Sequence, residues 1–233
     1  MLCIMTGVLL TGAVRAATIQ VAAGSPPVVV LAAGAASVAS AGERIAPPAV
    51  CYTFDRTAEV ASGSAIWRMH DYSILRIDMV SRLFRADKVI MDISCGAVGF
   101  HVPSSEACEI RLPVAFLRVE TTPVRGVITV RGTVTDVRIE EGAVKVWMPG
   151  AGEVRKLAAG EWRLDAPDGV GSVRVAPVPA ETGEGISDRL DWFRKGLPDV
   201  VRRLFDDEDA PYPLGFFDVP RFQEPDPASP WEP

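Results

Sequence analysis

Residues 128–146 read Ile128-Thr129-Val130-Arg131-Gly132-Thr133-Val134-Thr135-Asp136-Val137-Arg138-Ile139-Glu140-Glu141-Gly142-Ala143-Val144-Lys145-Val146. Apolar residues recur at every second position in the pairs Ile128 and Val130, Val137 and Ile139, Val144 and Val146. This is the period of a strand with one buried face. The apolar parity changes sign between Val130 and Val137, which a β-bulge or sharp turn around Gly132 to Asp136 would explain, so a bend is expected there. Gly132 is read as a bulge glycine and Glu140-Glu141-Gly142 as a hairpin turn with solvated charges.

The same period runs outward in both directions. Upstream, Leu75, Ile77 and Met79 alternate with Arg76 and Asp78. Val89, Met91 and Ile93 are spaced alike, as are Val98, Phe100 and Val102, then Ile110, Leu112 and Val114, and then Leu117 with Val119. Downstream, Val173 pairs with Val175, and near the start Val28-Val29-Val30 is a β-branched run. About a dozen short strands bounded by Gly, Pro, Asp or Ser are expected between residues 18 and 179. No amphipathic helix interrupts them, so the fold class is mainly β: an antiparallel sandwich, jelly-roll or β-helix-like stack.

After Pro179 the composition shifts. Residues 180–185 read as a linker, and Ile186, Leu190, Phe193, Leu197, Val201 and Leu204 recur at steps of three and four. An amphipathic helix over 186–205 is expected, kinked where Gly196 and Pro198 interrupt it. The tail, 206–233, is acidic and Pro-rich yet carries Tyr212, Phe216, Phe217, Phe222 and Trp231. Such a segment suits a strap lying on a partner or on this chain's own β domain. The candidate partner contacts are therefore Trp192, Phe193, Leu197 and those five tail aromatics.

Of the net charge of −6, that tail, with eight carboxylates and the single Arg221, carries −7, and the rest of the chain sums to +1. No basic block or zinc-finger spacing offers a footing for nucleic acid. At the other end, Leu2 to Val14 is apolar but too short to span a bilayer, and no Lys or Arg precedes it. Residues 1–16 read as a signal peptide, in preference to an uncleaved anchor or a buried strand. Val14-Arg15-Ala16 is one cleavage site and Ala39-Ser40-Ala41 a later one. Export to the periplasm or cell surface follows, with no transmembrane span in the mature chain.

Loss of Cys3 with that peptide leaves Cys51, Cys95 and Cys108. One disulfide, over the short loop between Cys95 and Cys108, stands beside three buried thiols as alternatives. His70 and His101 are isolated, and Cys95, His101 and Cys108 match no common zinc spacing. No nucleophile elbow, P-loop, dinucleotide fingerprint or metalloprotease motif occurs. No catalytic residue, metal or cofactor is expected, and Glu140 and Glu141 are read as turn charges. Trp67, Trp147 and Trp162 lie near turns or on the polar parity of strands. Trp147 is either an exposed anchor or part of a second core face.

Three segments resemble the FecR domain. The first is Ala61-Ser62-Gly63-Ser64-Ala65-Ile66 with Tyr72-Ser73-Ile74-Leu75-Arg76-Ile77, and the second is Cys95-Gly96-Ala97-Val98-Gly99-Phe100-His101-Val102. The third joins Leu117-Arg118-Val119-Glu120-Thr121-Thr122-Pro123 to the quoted Val130 to Val137 and Glu141 to Val146; Leu157-Ala158-Ala159-Gly160-Glu161-Trp162 looks like the family's closing motif. Membrane regulators of that family also carry a cytoplasmic anti-sigma region and a transmembrane helix, neither of which is read here. The resemblance implies an envelope location and a β domain used for contact. That function is a protein-contact module in signalling, or an accessory subunit stabilising an envelope assembly. Its rival is a β module binding glycan or peptidoglycan through exposed aromatics, and a hydrolase on a β-helix would need a cluster of carboxylates on one face.

Overall fold

The structure, a computed structural model, describes residues 18–54, 56–82, 85–104, 108–148, 152–165, 174–177, 193 and 195–206. The leader 1–16, linker 180–185 and tail 207–233 lie outside them. Fourteen strands join in one sheet: β1 (Ile19–Val21), β2 (Val28–Ala32), β3 (Ala35–Ala39), β4 (Ala49–Thr53), β5 (Ala58–Ser62), β6 (Ala65–Met69), β7 (Ser73–Arg82), β8 (Arg85–Val102), β9 (Cys108–Arg111), β10 (Phe116–Arg131), β11 (Val134–Met148), β12 (Gly152–Leu157), β13 (Gly160–Asp165) and β14 (Arg174–Pro177). Their described pairings are antiparallel except for β8 with β9, so the β-helix-like stack gives way to a sandwich.

The sandwich is one sheet folded over. In the first layer the order is β3-β2-β4-β7-β8-β9-β10-β11-β12, using the first part of β8 and β10 and the last part of β11. In the second it is β1-β5-β6-β8-β10-β11-β13-β14, using the remaining parts of the same three strands. The two inner faces share one core. Val28, Cys51, Leu75, Met91, Ile110 and Val146 enter it from the first layer, and Val21, Trp67, Val98, Ile128, Val137 and Leu164 from the second. A buried Val, Leu or Ile side chain contributes about 1.5–3 kcal/mol, so this common interior holds the layers together. Cleavage after Ala41 would remove β1 to β3 from it, which leaves Ala39-Ser40-Ala41 as part of the fold.

Three breaks expected from turn residues are passages through continuous strands. Val89 to Ile93 and Val98 to Val102 belong to one 18-residue strand, β8. The apolar pairs at 117/119 and 128/130 share β10, and those at 137/139 and 144/146 share β11. The corners lie at Gly96, at Thr122-Pro123 and at Gly142, where the ladder registers shift. Gly96 (φ +86°) and Gly142 (φ +79°) adopt a left-handed backbone that L side chains resist. The expected roles of the glycines are exchanged: Gly132 and Thr133 form the tight turn between Arg131 and Val134, and Gly142 sits in the irregularity inside β11.

The C-terminal helical reading holds in part. Phe193, Lys195 and Gly196 are helical, Leu197 and Pro198 are not, and α1 (Asp199–Asp206) follows with Asp199 in its first turn. The amides of Val201 and Arg202 donate to the Pro198 carbonyl. Among the described residues, no helix is long and apolar enough to cross a membrane.

Candidate contact surface

Phe193 and Leu197, expected to face a partner, pack on this chain's own sheet. The outer face of the first layer carries an apolar patch of Val29, Tyr52, Phe54, Ile74 and Cys95, and Phe193 and Val201 are buried against it, with Leu197 and Leu204 partly so. Phe193 is 2% exposed, its ring edge-on to Phe54 at 5.2 Å and to Tyr72 at 5.6 Å. An apolar stripe on a short helix and an apolar patch on a sheet bury each other, and each removes the other's surface from water. Trp192, Tyr212, Phe216, Phe217, Phe222 and Trp231 lie outside the described residues.

The tryptophans separate. Trp67 is fully buried and stacks on Phe100, so its place is the core. Trp162 lies at the core's rim, its indole N–H donating to the Ala158 carbonyl at 3.1 Å and its ring under the Arg155 guanidinium. Trp147 points outward, half-buried, because Val146 and Met148 beside it take the buried positions.

Around Trp147 the outer face of β7 to β12 is polar and ordered in rows. Arg76, Asp92, Arg111, Phe116 and Trp147 stand opposite one another on β7, β8, β9, β10 and β11. Two residues along, the next row is Asp78, Ile90, Glu109, Arg118, Lys145 and Lys156 on β7 to β12. Alternation with Ile77, Met91, Ile110, Leu117 and Val146, which fill the core, places these side chains on the outside. The Arg118 guanidinium lies 4.5 Å from the Trp147 ring centre and that of Arg111 5.6 Å from the Phe116 ring. Such cation–π contacts contribute about 0.5–1 kcal/mol each at exposed sites.

Glu109 anchors the arrangement. Its side chain is only 6% exposed and meets three cations: Lys88 Nζ donates to Oε2, Arg111 Nε to Oε1 at 3.3 Å, and Arg118 Nε lies 3.7 Å from Oε2. Burial alone would lift its pKa, but the hydrogen bonds and charges of Lys88 and Arg111 outweigh that and hold the carboxyl below its ordinary value. Asp92 goes the other way: burial raises it, Arg76 and Arg111 pull it down, Asp78 pushes it up, and burial prevails. Glu120 takes Lys145 at 3.2 Å and Lys156 at 3.9 Å. Among the described side chains of this face, Arg76, Lys88, Arg111, Arg118, Lys145 and Lys156 stand with Asp78, Asp92, Glu109 and Glu120, two cations in excess, on a chain whose net charge is −6.

The disulfide expected between Cys95 and Cys108 is not formed, and Cys51, Cys95 and Cys108 are thiols. In the parallel β8–β9 pairing Cys108 stands opposite Val89. Six residues of strand separate that position from Cys95, roughly 20 Å at about 3.3 Å each, far beyond a disulfide's reach. His101 is on the second-layer part of β8, opposite Ile66 and Arg125, so Cys95, His101 and Cys108 are not brought together. The face around Glu109 was not legible as a site, because its rows come from six separate strands. The signal available was the outward parity of Arg118, Lys145 and Trp147.

No family model matches the sequence, and no curated protein does. Among solved structures, the chain is similar to a candidate anti-sigma factor from Parabacteroides distasonis in two crystal structures. One aligns with TM-score 0.40 and 14% identity over 55% of this chain and 59% of the other. The second gives 0.39 and 15% over 54% and 57%. The alignments thus span less than two thirds of those chains. At this level the likeness assigns this chain neither family nor function.

Proposed function

We propose that the chain is an exported, non-enzymatic contact module of FecR-like type, working in signalling or as an accessory subunit of an envelope assembly, and that its contact surface is the outer face of β7 to β12. The observation that carries the reading is the pair of guanidinium–aromatic contacts, Arg118 over Trp147 and Arg111 over Phe116, around the buried Glu109. Arginine and large aromatics are the side chains enriched at the energetic centres of protein interfaces. Export rests on the apolar run from Leu2 to Val14, and the FecR-like reading on the order of its motifs. Phe193, docked on its own sheet, is not part of the surface.

The test is affinity capture from envelope extract with the full mature chain, its Arg118→Glu/Trp147→Ala variant, and a control changed on the second layer, Arg138→Glu. A stoichiometric protein retained by the first and the control but lost from the variant is expected. Retention of peptidoglycan or glycan, with no protein partner, would replace this reading with the polymer-binding one.

A further inference from the structure

The sequence pairs an acidic, aromatic tail with a face of opposite character. We propose that residues 207–233 bind in cis across the outer face of β7 to β12, their carboxylates against Lys145, Lys156, Arg111 and Arg118. As the regulation of the contact surface proposed above it rests on that reading, but the contact itself needs no partner.

Four observations converge on it. The first is position: Ile74, in the apolar patch, shares one face of β7 with Arg76 and Asp78, while Leu75 and Ile77 turn to the core, and Phe193, Leu197, Val201 and Leu204 pack on that patch. The chain therefore leaves α1 already on the side of the sheet where the cations stand. The second is reach. From β3, which α1 packs against, to β12 there are eight strand steps, or roughly 38 Å at about 4.8 Å per step. The 27 residues of 207–233 can extend up to about 90 Å.

The third is charge. Residues 207–233 hold seven carboxylates and one arginine, against two cations in excess among the described side chains of the face. Three of the chain's four lysines, Lys88, Lys145 and Lys156, are on that face; the fourth is Lys195. The fourth is ring chemistry. Arg118 and Arg111 already meet the Trp147 and Phe116 rings, and a guanidinium also stacks on further aromatic rings, which the tail supplies. Tethering raises the effective concentration of such a segment to the millimolar range, where weak charged contacts suffice. A partner using this face must displace the tail.

The experiment is zero-length carboxyl-to-amine coupling on the full mature chain, with peptide mass spectrometry and a mixture of ordinary and 15N-labelled protein to separate links within one chain from links between chains. Lys145 and Lys156 are expected to couple within one chain to Glu224, Asp226 or Glu232. These links should vanish in 1 M NaCl, where the screening length falls to about 3 Å, and drop at least fivefold in Arg111→Glu/Arg118→Glu. The salt arm stands alone should that variant not fold. Coupling of the tail to Lys195 only, coupling only between chains, or links indifferent to salt would each overturn the proposal. Partner capture that still depends on Arg118 would then leave the contact surface standing and remove only the tail from it.

Discussion

Cys51 occupies the shared core beside Leu75 across the β4–β7 pairing, and burial pushes its thiol up to about 12. Tyr52, one residue on, faces the opposite side; its own burial, then the neighbouring Cys51, push its phenol to about 12. A group that holds its proton more tightly folded than unfolded stabilises the fold fully below its unfolded pKa and loses that contribution as pH rises toward the folded one. For Cys51 the loss starts at about pH 8.5 and for Tyr52 at about pH 10. Glu109 has the opposite sense: its pKa is lower when folded, so its contribution is present above the ordinary carboxylate range and fades as pH falls. The melting temperature of the native chain should therefore decline from about pH 9 upward, while Cys51→Ala, after a loss of about 1 kcal/mol for the smaller side chain, should hold its own value until about pH 10. A calorimetric pH series decides this, and identical alkaline limbs in the two proteins would contradict the assignment to Cys51.

Elements turn on their corners. At Gly96 a Cβ would lie 2.4 Å from Ser73 Oγ and 2.5 Å from the Tyr72 carbonyl oxygen. Ser73 is buried there because it stitches the start of β7 to the bulge: its hydroxyl donates to the Ala97 carbonyl and accepts from the Ala97 amide, both at 3.0 Å. Gly24 has a similar φ of +77° but open space around it. Gly96→Ala should therefore cost about 3 kcal/mol or more through strain and crowding, and Gly24→Ala about 1 kcal/mol through backbone conformation alone. Urea titration of both variants measures the difference, and equal midpoints would show that β8 bends without the close approach of Ser73. Sequence patterning split β8, β10 and β11 into separate short strands, with Gly142 read as a hairpin turn, because turn chemistry and bulge chemistry use the same residues. Only the ladders on either side of each corner separate the two cases: β8 passes from β7 and β9 to β6 and β10, while β10 and β11 stay paired through their register shifts.

On the scale of the whole molecule, the two layers are not separable parts. β8, β10 and β11 belong to both, and Trp67, Met91 and Val146 meet in one core. Pairings such as Ile19 with Ser62 and Met69 with Val98 join residues far apart in sequence, which favours slow folding, on the order of milliseconds to seconds. A single calorimetric transition with equal calorimetric and van't Hoff enthalpies is expected for the β-sandwich. Two resolved transitions would mean that the layers unfold independently despite the shared strands.

The residue pattern by itself determined the β class, the inward faces of most strands, a bend near Gly132, and an interruption of the C-terminal stripe around Gly196 and Pro198. These are local properties, set by side-chain alternation and by backbone freedom at glycine and proline. The tertiary structure decided the rest. It docked Phe193 on the patch around Phe54 and Ile74, where the stripe alone read as a surface for a partner. It parted Cys95 from Cys108 by running β9 parallel to the early part of β8, and it brought Glu109, Arg111, Arg118 and Trp147 into neighbouring rows. Those outcomes depend on which strands lie side by side, and an apolar period has the same form whatever covers it.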